Sequence, residues 1–204
     1  MDTKSLFKLG YGLYVLTSNY DNKDNGCIIN TVMQVSDKPV RIAVSVNKSN
    51  FTHDMILNSM VFNVSILTTE TPFTVFKHFG FQSGRNVDKF AECKEEHRAV
   101  NNVLYIPKYA NAFIACKVTQ TIDLVSHTMF IAEIVDAQVL SDKDSVTYTY
   151  YQNNIKPKPQ QTAISKKRWI CRVCGYIYEG DEVPDDFVCP LCKHRKEDFE
   201  LLEN

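Results

Sequence analysis

A chain of 204 residues with 44% hydrophobic and 23% charged residues has the make-up of a globular protein with a real core. Its 23 Lys/Arg against 24 Asp/Glu give a formal net charge of −1, and no Lys/Arg run is long enough to track phosphates, which excludes an electrostatic nucleic-acid binder. The opening MDTKSLFKLG has no apolar run of a secretory leader, and no stretch approaches the roughly 18 apolar residues of a membrane span, so a soluble, cytoplasmic protein is expected.

Residues 1–152 read mainly as strand. In chain order, YGLYVLTSNY (11–20), CIINTVMQVS (27–36), VRIAVSVN (40–47), VFNVSILT (61–68), FIACKVTQTIDLV (113–125) and TMFIAEIVDAQVL (128–140) are β-branched and aromatic runs, several alternating with period two. Helices are expected from near Asn50 (NFTHDMILNSM), from Thr71-Pro72 with Thr71 as the cap, and over 87–96. Six or seven strands joined mostly by short turns, with helices in the minority, predict a mainly β fold built as an antiparallel barrel. The polar stretch NNIKPKPQQTAISKK (153–167), with two prolines, reads as a linker spanning roughly 20 Å as a coil and about 50 Å at full stretch. Residues 168–204 form a small separate module.

Four of the seven cysteines fall in that module as Cys171-Arg-Val-Cys174 and Cys189-Pro-Leu-Cys192, separated by fourteen residues. Each pair can form a tight turn aiming both sulfurs at one point, and two such turns complete a tetrahedral S4 site for zinc or iron. Gly175 follows the first pair, where such a turn needs positive φ. A segment this short also needs a metal, because apolar burial alone does not hold it. Cys27, Cys93 and Cys116 are scattered and expected to be buried small hydrophobes. The loop 179–186 carries five carboxylates in eight residues and reads as a solvated face or a docking surface for a basic partner.

Three segments of the first part have the chemistry of a phosphorylated cofactor site. Asn30-Thr31-Val32-Met33-Gln34-Val35-Ser36 is a strand with a polar row. In Val46-Asn47-Lys48-Ser49-Asn50-Phe51-Thr52-His53 a strand ends and a helix begins, so free N–H groups, the helix dipole, Lys48 and hydroxyls favour a phosphate. Ser83-Gly84-Arg85-Asn86-Val87-Asp88-Lys89-Phe90 is a Gly-containing basic turn. Read singly, Asn50 or Thr52 is a helix cap, Lys89 a surface lysine, and His53 a solvent-facing residue of the first helical turn.

Two resemblances extend this reading. RWICRVCGYIYEGDEVPDDFVCPLCKHRKEDFELL resembles a rubredoxin, with Trp169, Tyr176, Tyr178, Phe187 and Phe199 as the aromatic frame, which implies iron held by Cys171, Cys174, Cys189 and Cys192. Its short inter-pair loop is similar to the tails of rubrerythrins, and Lys193 stands where a Gly is usual. KLGYGLYVLTS, DNGCIINTVMQVS, VNKSNFTHDMI, SGRNVDKF, VSHTMFIAEI and YTYYQNN resemble the flavin reductase-like, FMN-binding split-barrel family. That resemblance implies FMN, with Asn30, Thr31, Gln34 and Ser36 lining its ring alongside Val32. It likewise implies that Asn47, Lys48, Asn50 and Thr52, with Ser49 in the same turn, hold the phosphate and that Lys89 adds positive charge. His127 takes the position beside the flavin where the nicotinamide of NADH or NADPH stacks, and is the catalytic candidate. The sequence after the last strand, Lys156-Pro157-Lys158-Pro159, departs from the family's Gly-Lys-Thr-Pro-like pattern.

The fusion resembles the high-molecular-weight rubredoxins of anaerobes. It implies a homodimeric NAD(P)H-oxidising flavoprotein that passes electrons from FMN to the iron and on to an acceptor such as a flavodiiron oxygen or nitric oxide reductase. The alternative is a flavin or ferric reductase with an accessory, zinc-ribbon-like tail.

Overall fold

β-branched runs become strands where a face has a core to cover, and runs buried on both faces become the centre of a sheet. The computed structural model describes residues 2, 5, 8–91, 97–157, 167–190 and 193–202, in two compact units, Met1–Pro157 and Lys158–Asn204. In the first unit β1 (Tyr14–Tyr20), β2 (Lys23–Ile29), β3 (Val32–Asp37), β4 (Val40–Asn47), β5 (Val61–Leu67), β6 (Ala110–Asp123) and β7 (His127–Val139) form one sheet. Its order is β2-β1-β5-β6-β7-β4-β3, with antiparallel pairing throughout.

The run 27–36, expected as one strand, is two. β2 pairs with β1 at one edge of the sheet and β3 with β4 at the other. Only Asn30 and Thr31 separate them, so the two edges adjoin without pairing and the sheet curls into a split barrel. Leu16, Val44, Val46, Phe62, Val64 and Phe130 fill the barrel, and Ile56 of α1 (Phe51–Ser59) plugs it.

The helix N-termini differ in detail from the sequence reading. Asn50 occupies the cap position of α1 but makes no side-chain cap bond. For α2 (Phe73–Gly80) the cap is Pro72, not Thr71. Thr71 is buried and its hydroxyl donates to the Tyr109 carbonyl at 3.2 Å, so it is consumed across the fold. Residues 87–91, expected to begin a third helix, form turns instead; Asp88 Oδ1 accepts from the Phe90 N–H at 2.9 Å, bending the chain locally. Residues 92–96, including Cys93, lie outside the described residues. A helical turn, Tyr148–Tyr150, runs into a π-helical turn, Tyr151–Ile155. Asn153–Ile155 therefore continue this turn rather than starting the linker, because Tyr151 packs on Phe76 at 4.5 Å and Ile155 joins the same apolar cluster.

The second unit has a three-stranded sheet of order β10-β8-β9, from β8 (Arg168–Cys171), β9 (Ile177–Glu179) and β10 (Phe199–Leu201). Among the described residues no helix is long and apolar enough to cross a membrane.

Cys27 and Cys116 are buried, as expected. Burial pushes the Cys116 thiol up to about 12 and raises that of Cys27 above its ordinary value. Between about pH 9 and about pH 12 the unfolded chain's thiols ionise while the folded ones hold their protons, so the unfolded state gains and stability falls as pH rises. Urea unfolding midpoints at about pH 8 and about pH 10 should show this, with the fall reduced by about 1 kcal/mol in Cys116→Ala.

Candidate functional site

The alternation of β4 and β7 sorts side chains between the core and a cleft. Asn47 pairs with His127 across these strands, on the face opposite to Val46 and Thr128. On the outer face Asn30, Thr31, Ser45, Asn47, Asn50 and His127 line a cleft of about 440 Å³. The Thr31 hydroxyl donates to the Ser45 carbonyl at 2.9 Å, which fixes the seam residue against β4. Ser126 Oγ lies 2.9 Å from His127 Nδ1, leaving Nε2 without a partner among the described residues.

A second cleft of about 260 Å³ adjoins the first through Asn50, which lines both, and is walled by Asn25, Ser49, Thr52, Gly84 and Lys89. Lys89 is 4% exposed rather than a surface lysine. Its ammonium donates to the carbonyls of Gly26 at 2.8 Å and Phe79 at 2.9 Å, two of its three donors. Burial lowers its pKa, and neighbouring Cys27 opposes that shift. A buried cation with a spare donor, in a cleft that also takes in the start of α1, has the chemistry to receive an anion. Thr52 forms the floor, its hydroxyl accepting from Asn25 Nδ2 at 2.9 Å. A Cβ at Gly84 would lie 2.1 Å from Asn25 Oδ1, so a side chain there would have to displace the amide that bonds Thr52.

Other expected residues fall elsewhere. Val32, Gln34 and Ser36 ride on β3 away from both clefts; Gln34 Nε2 donates to Ser36 O at 3.2 Å and Ser36 Oγ to Pro39 O at 2.7 Å. Lys48 pairs with Asp123 at 2.7 Å and braces the β6–β7 hairpin instead of lining a cleft. His53, expected to face solvent, is 4% exposed. Its ring is drawn inward by Thr128 Oγ1, 2.9 Å from Nε2, and packs against Phe130 at 5.7 Å. Neither Asn25 nor His53 carries a local signal that marks it.

In the second unit the Sγ atoms of Cys171, Cys174 and Cys189 lie within 4.8 Å of one another, with Cys174 and Cys189 3.5 Å apart. Sulfurs about 2.3 Å from one tetrahedral ion stand about 3.7 Å apart, so the three fit such an ion. Cys192 lies outside the described residues. The two turns share one pattern: Gly175 N–H donates to Cys171 O at 2.8 Å and Lys193 N–H to Cys189 O at 3.0 Å. The Cys171 and Cys189 N–H groups in turn donate to the carbonyls five residues on, Tyr176 at 2.9 Å and His194 at 2.8 Å. Phe187 packs on Tyr178 at 4.7 Å and Phe199 at 5.5 Å, and with Trp169 and Tyr176 they pack against the buried Cys171 and Cys189, while Cys174 is exposed.

The turns need left-handed backbone at equivalent places, Gly175 with φ 75° and Lys193 with φ 63°. A side chain pays for that conformation, so Lys193→Gly should stabilise the metal-loaded module by about 1 kcal/mol. Thermal melting read at the metal-ligand absorbance tests it; an unchanged or lower midpoint would contradict the backbone assignment.

The family described as "Flavin reductase like domain" matches residues 6–158. The chain belongs to the flavin reductase-like family. It is thus an oxidoreductase of a flavin reductase fold, and residues 169–200 match the "Rubrerythrin, rubredoxin-like domain". The high molecular weight rubredoxin of Moorella thermoacetica is 34% identical over 99% of this chain and 100% of its own length. The ferric-chelate reductase (NAD(P)H) of Archaeoglobus fulgidus is 39% identical over 80% of this chain and 96% of its own length. Among solved structures, the NADH:FAD oxidoreductase of Streptomyces globisporus superposes with a TM-score of 0.62 at 20% identity, covering 70% of this chain and 84% of that one, which shows the shared fold. The chain is a flavin reductase-like domain fused to a rubredoxin-like domain.

Proposed function

We propose that the protein is an NAD(P)H-oxidising cytoplasmic flavoprotein that passes electrons from FMN to a rubredoxin-type iron centre and on to an acceptor protein. The reading is carried by one observation: in a chain of the flavin reductase-like family, three thiols converge within 4.8 Å in a second unit. FMN, when bound, takes a hydride from NAD(P)H and releases electrons singly, while iron held by four thiolates exchanges single electrons and offers no open position.

The chain's own residues divide the work. Lys89, with Ser49 and Asn50 at the start of α1, holds the FMN phosphate in the smaller cleft. Asn30, Thr31, Asn47 and His127 orient the ring in the larger one, with His127 Nε2 facing the nicotinamide. Cys171, Cys174, Cys189 and Cys192 hold the iron. Val32, Gln34 and Ser36 act from β3, whose neighbours Met33 and Val35 are 56% and 46% exposed. Such an apolar edge supports a homodimer, with each β3 row meeting its partner. A flavodiiron oxygen or nitric oxide reductase is the acceptor we assign.

Anaerobic stopped-flow mixing with NADH or NADPH tests the order of transfer: the flavin band should bleach first and the iron-thiolate band second. Iron that stays oxidised without added mediators would refute the relay, as would a tail that purifies with zinc. The second reading, a flavin or ferric-chelate reductase with an accessory tail, draws on the Archaeoglobus fulgidus relative's name. It predicts ferric-chelate reduction undiminished when the tail is removed.

A further inference from the structure

His53 sits where the segments of the proposed flavin site converge. Its Nε2 lies 2.9 Å from Thr128 Oγ1 on β7, one residue from His127 and on the core side of that strand. Its Nδ1 lies 3.0 Å from Asp54 Oδ1, and because a carboxylate only accepts, this nitrogen carries the proton. The other Asp54 oxygen accepts from Arg85 at 2.5 Å, and Arg85 also lies over the Phe51 ring at 5.2 Å. One hydrogen-bonded chain thus ties β7 beside His127, the first turn of α1 beside Asn50, and the turn that leads to Lys89. Hydrogen bonds to His53 and Arg85 outweigh partial desolvation and hold the Asp54 carboxyl below its usual range. An apolar side chain could pack α1 on β7 at no polar cost. A doubly bonded imbedded imidazole also fixes their rotation and separation.

We propose that His53 is a positioning residue that sets the distance between the phosphate end and the ring end of the flavin site. The proposal rests on the flavin reading above. A residue of this kind affects most a ligand that reaches both ends. FMN does, whereas riboflavin, lacking the phosphate, engages only the ring end.

The test is titration of FMN and riboflavin into full-length wild type, His53→Phe and His53→Gln, well below the melting point of each. Phe keeps the ring volume against Phe130 and removes both bonds; Gln restores an amide within reach of Thr128. FMN should bind about tenfold more weakly to His53→Phe, from the loss of hydrogen bonds of which one is charge-assisted, while riboflavin binding stays within about twofold. His53→Gln should recover most of the FMN loss. If FMN and riboflavin weaken alike, or only the melting point falls, the inference is overturned and the flavin reading stands. Wild type that binds neither flavin overturns both.

Discussion

Cys189→Ser is expected to unfold the C-terminal unit while leaving the first unit folded and able to reduce its flavin. Cys189 is fully buried, and among the described residues Cys171, Val183, Cys189 and Phe199 form the buried core of that unit. So few apolar groups cannot offset the conformational entropy of the segment, and metal binding supplies on the order of 10 kcal/mol in modules of this kind. The variant should lose its metal, become protease-sensitive beyond the first unit, and lose reduction of an external acceptor. NADH-driven flavin bleaching should persist. Metal analysis, limited proteolysis and anaerobic kinetics check this together. A protease-resistant, metal-free tail would show that packing alone holds it, and loss of flavin reduction would show that the tail supports the first unit.

Lys89→Met is expected to abolish the preference for FMN over riboflavin. The substitution keeps side-chain length but removes the buried charge and leaves the carbonyls of Gly26 and Phe79 without their donor. Each orphaned carbonyl costs about 1–3 kcal/mol, so the variant should also melt earlier. Loss of a charge-assisted contact to phosphate in a dry site should raise the FMN dissociation constant about 100-fold, with riboflavin little changed. Fluorescence titration with both ligands provides the ratio. An unchanged ratio would move the phosphate away from Lys89 and out of the smaller cleft.

What the sequence made legible was what depends on near neighbours in the chain. The strands follow from period-two runs, and β4 and β7 fall within a residue or two of VRIAVSVN and TMFIAEIVDAQVL. The cysteine turns follow from a spacing of three residues, which is why Gly175 could be assigned its backbone conformation in advance. Residues whose surroundings depend on distant partners are not legible from their near neighbours. His53 looks like an exposed helical residue because Thr128, which draws it inward, is 75 positions away. Lys89 looks solvated because its acceptors, Gly26 and Phe79, come from other elements. Thr71 looks like a cap until Tyr109 takes its hydroxyl. The break at Asn30–Thr31 carries no Gly or Pro; the closing of the sheet imposes it, and local propensity has no say in that.

That break has a dynamic consequence. β2 and β3 are the free edges of the sheet, each held by a single neighbour, so their seam is where the barrel breathes most easily. Asn30 and Thr31 are both the hinge of that seam and part of the cleft lining. Opening the seam and emptying the cleft are then one motion, and a seated ligand acts as a clasp. In deuterium-exchange measurements the amides of β3 should exchange early in the free protein and markedly later once FMN is bound, whereas β5, enclosed between β1 and β6, should not respond.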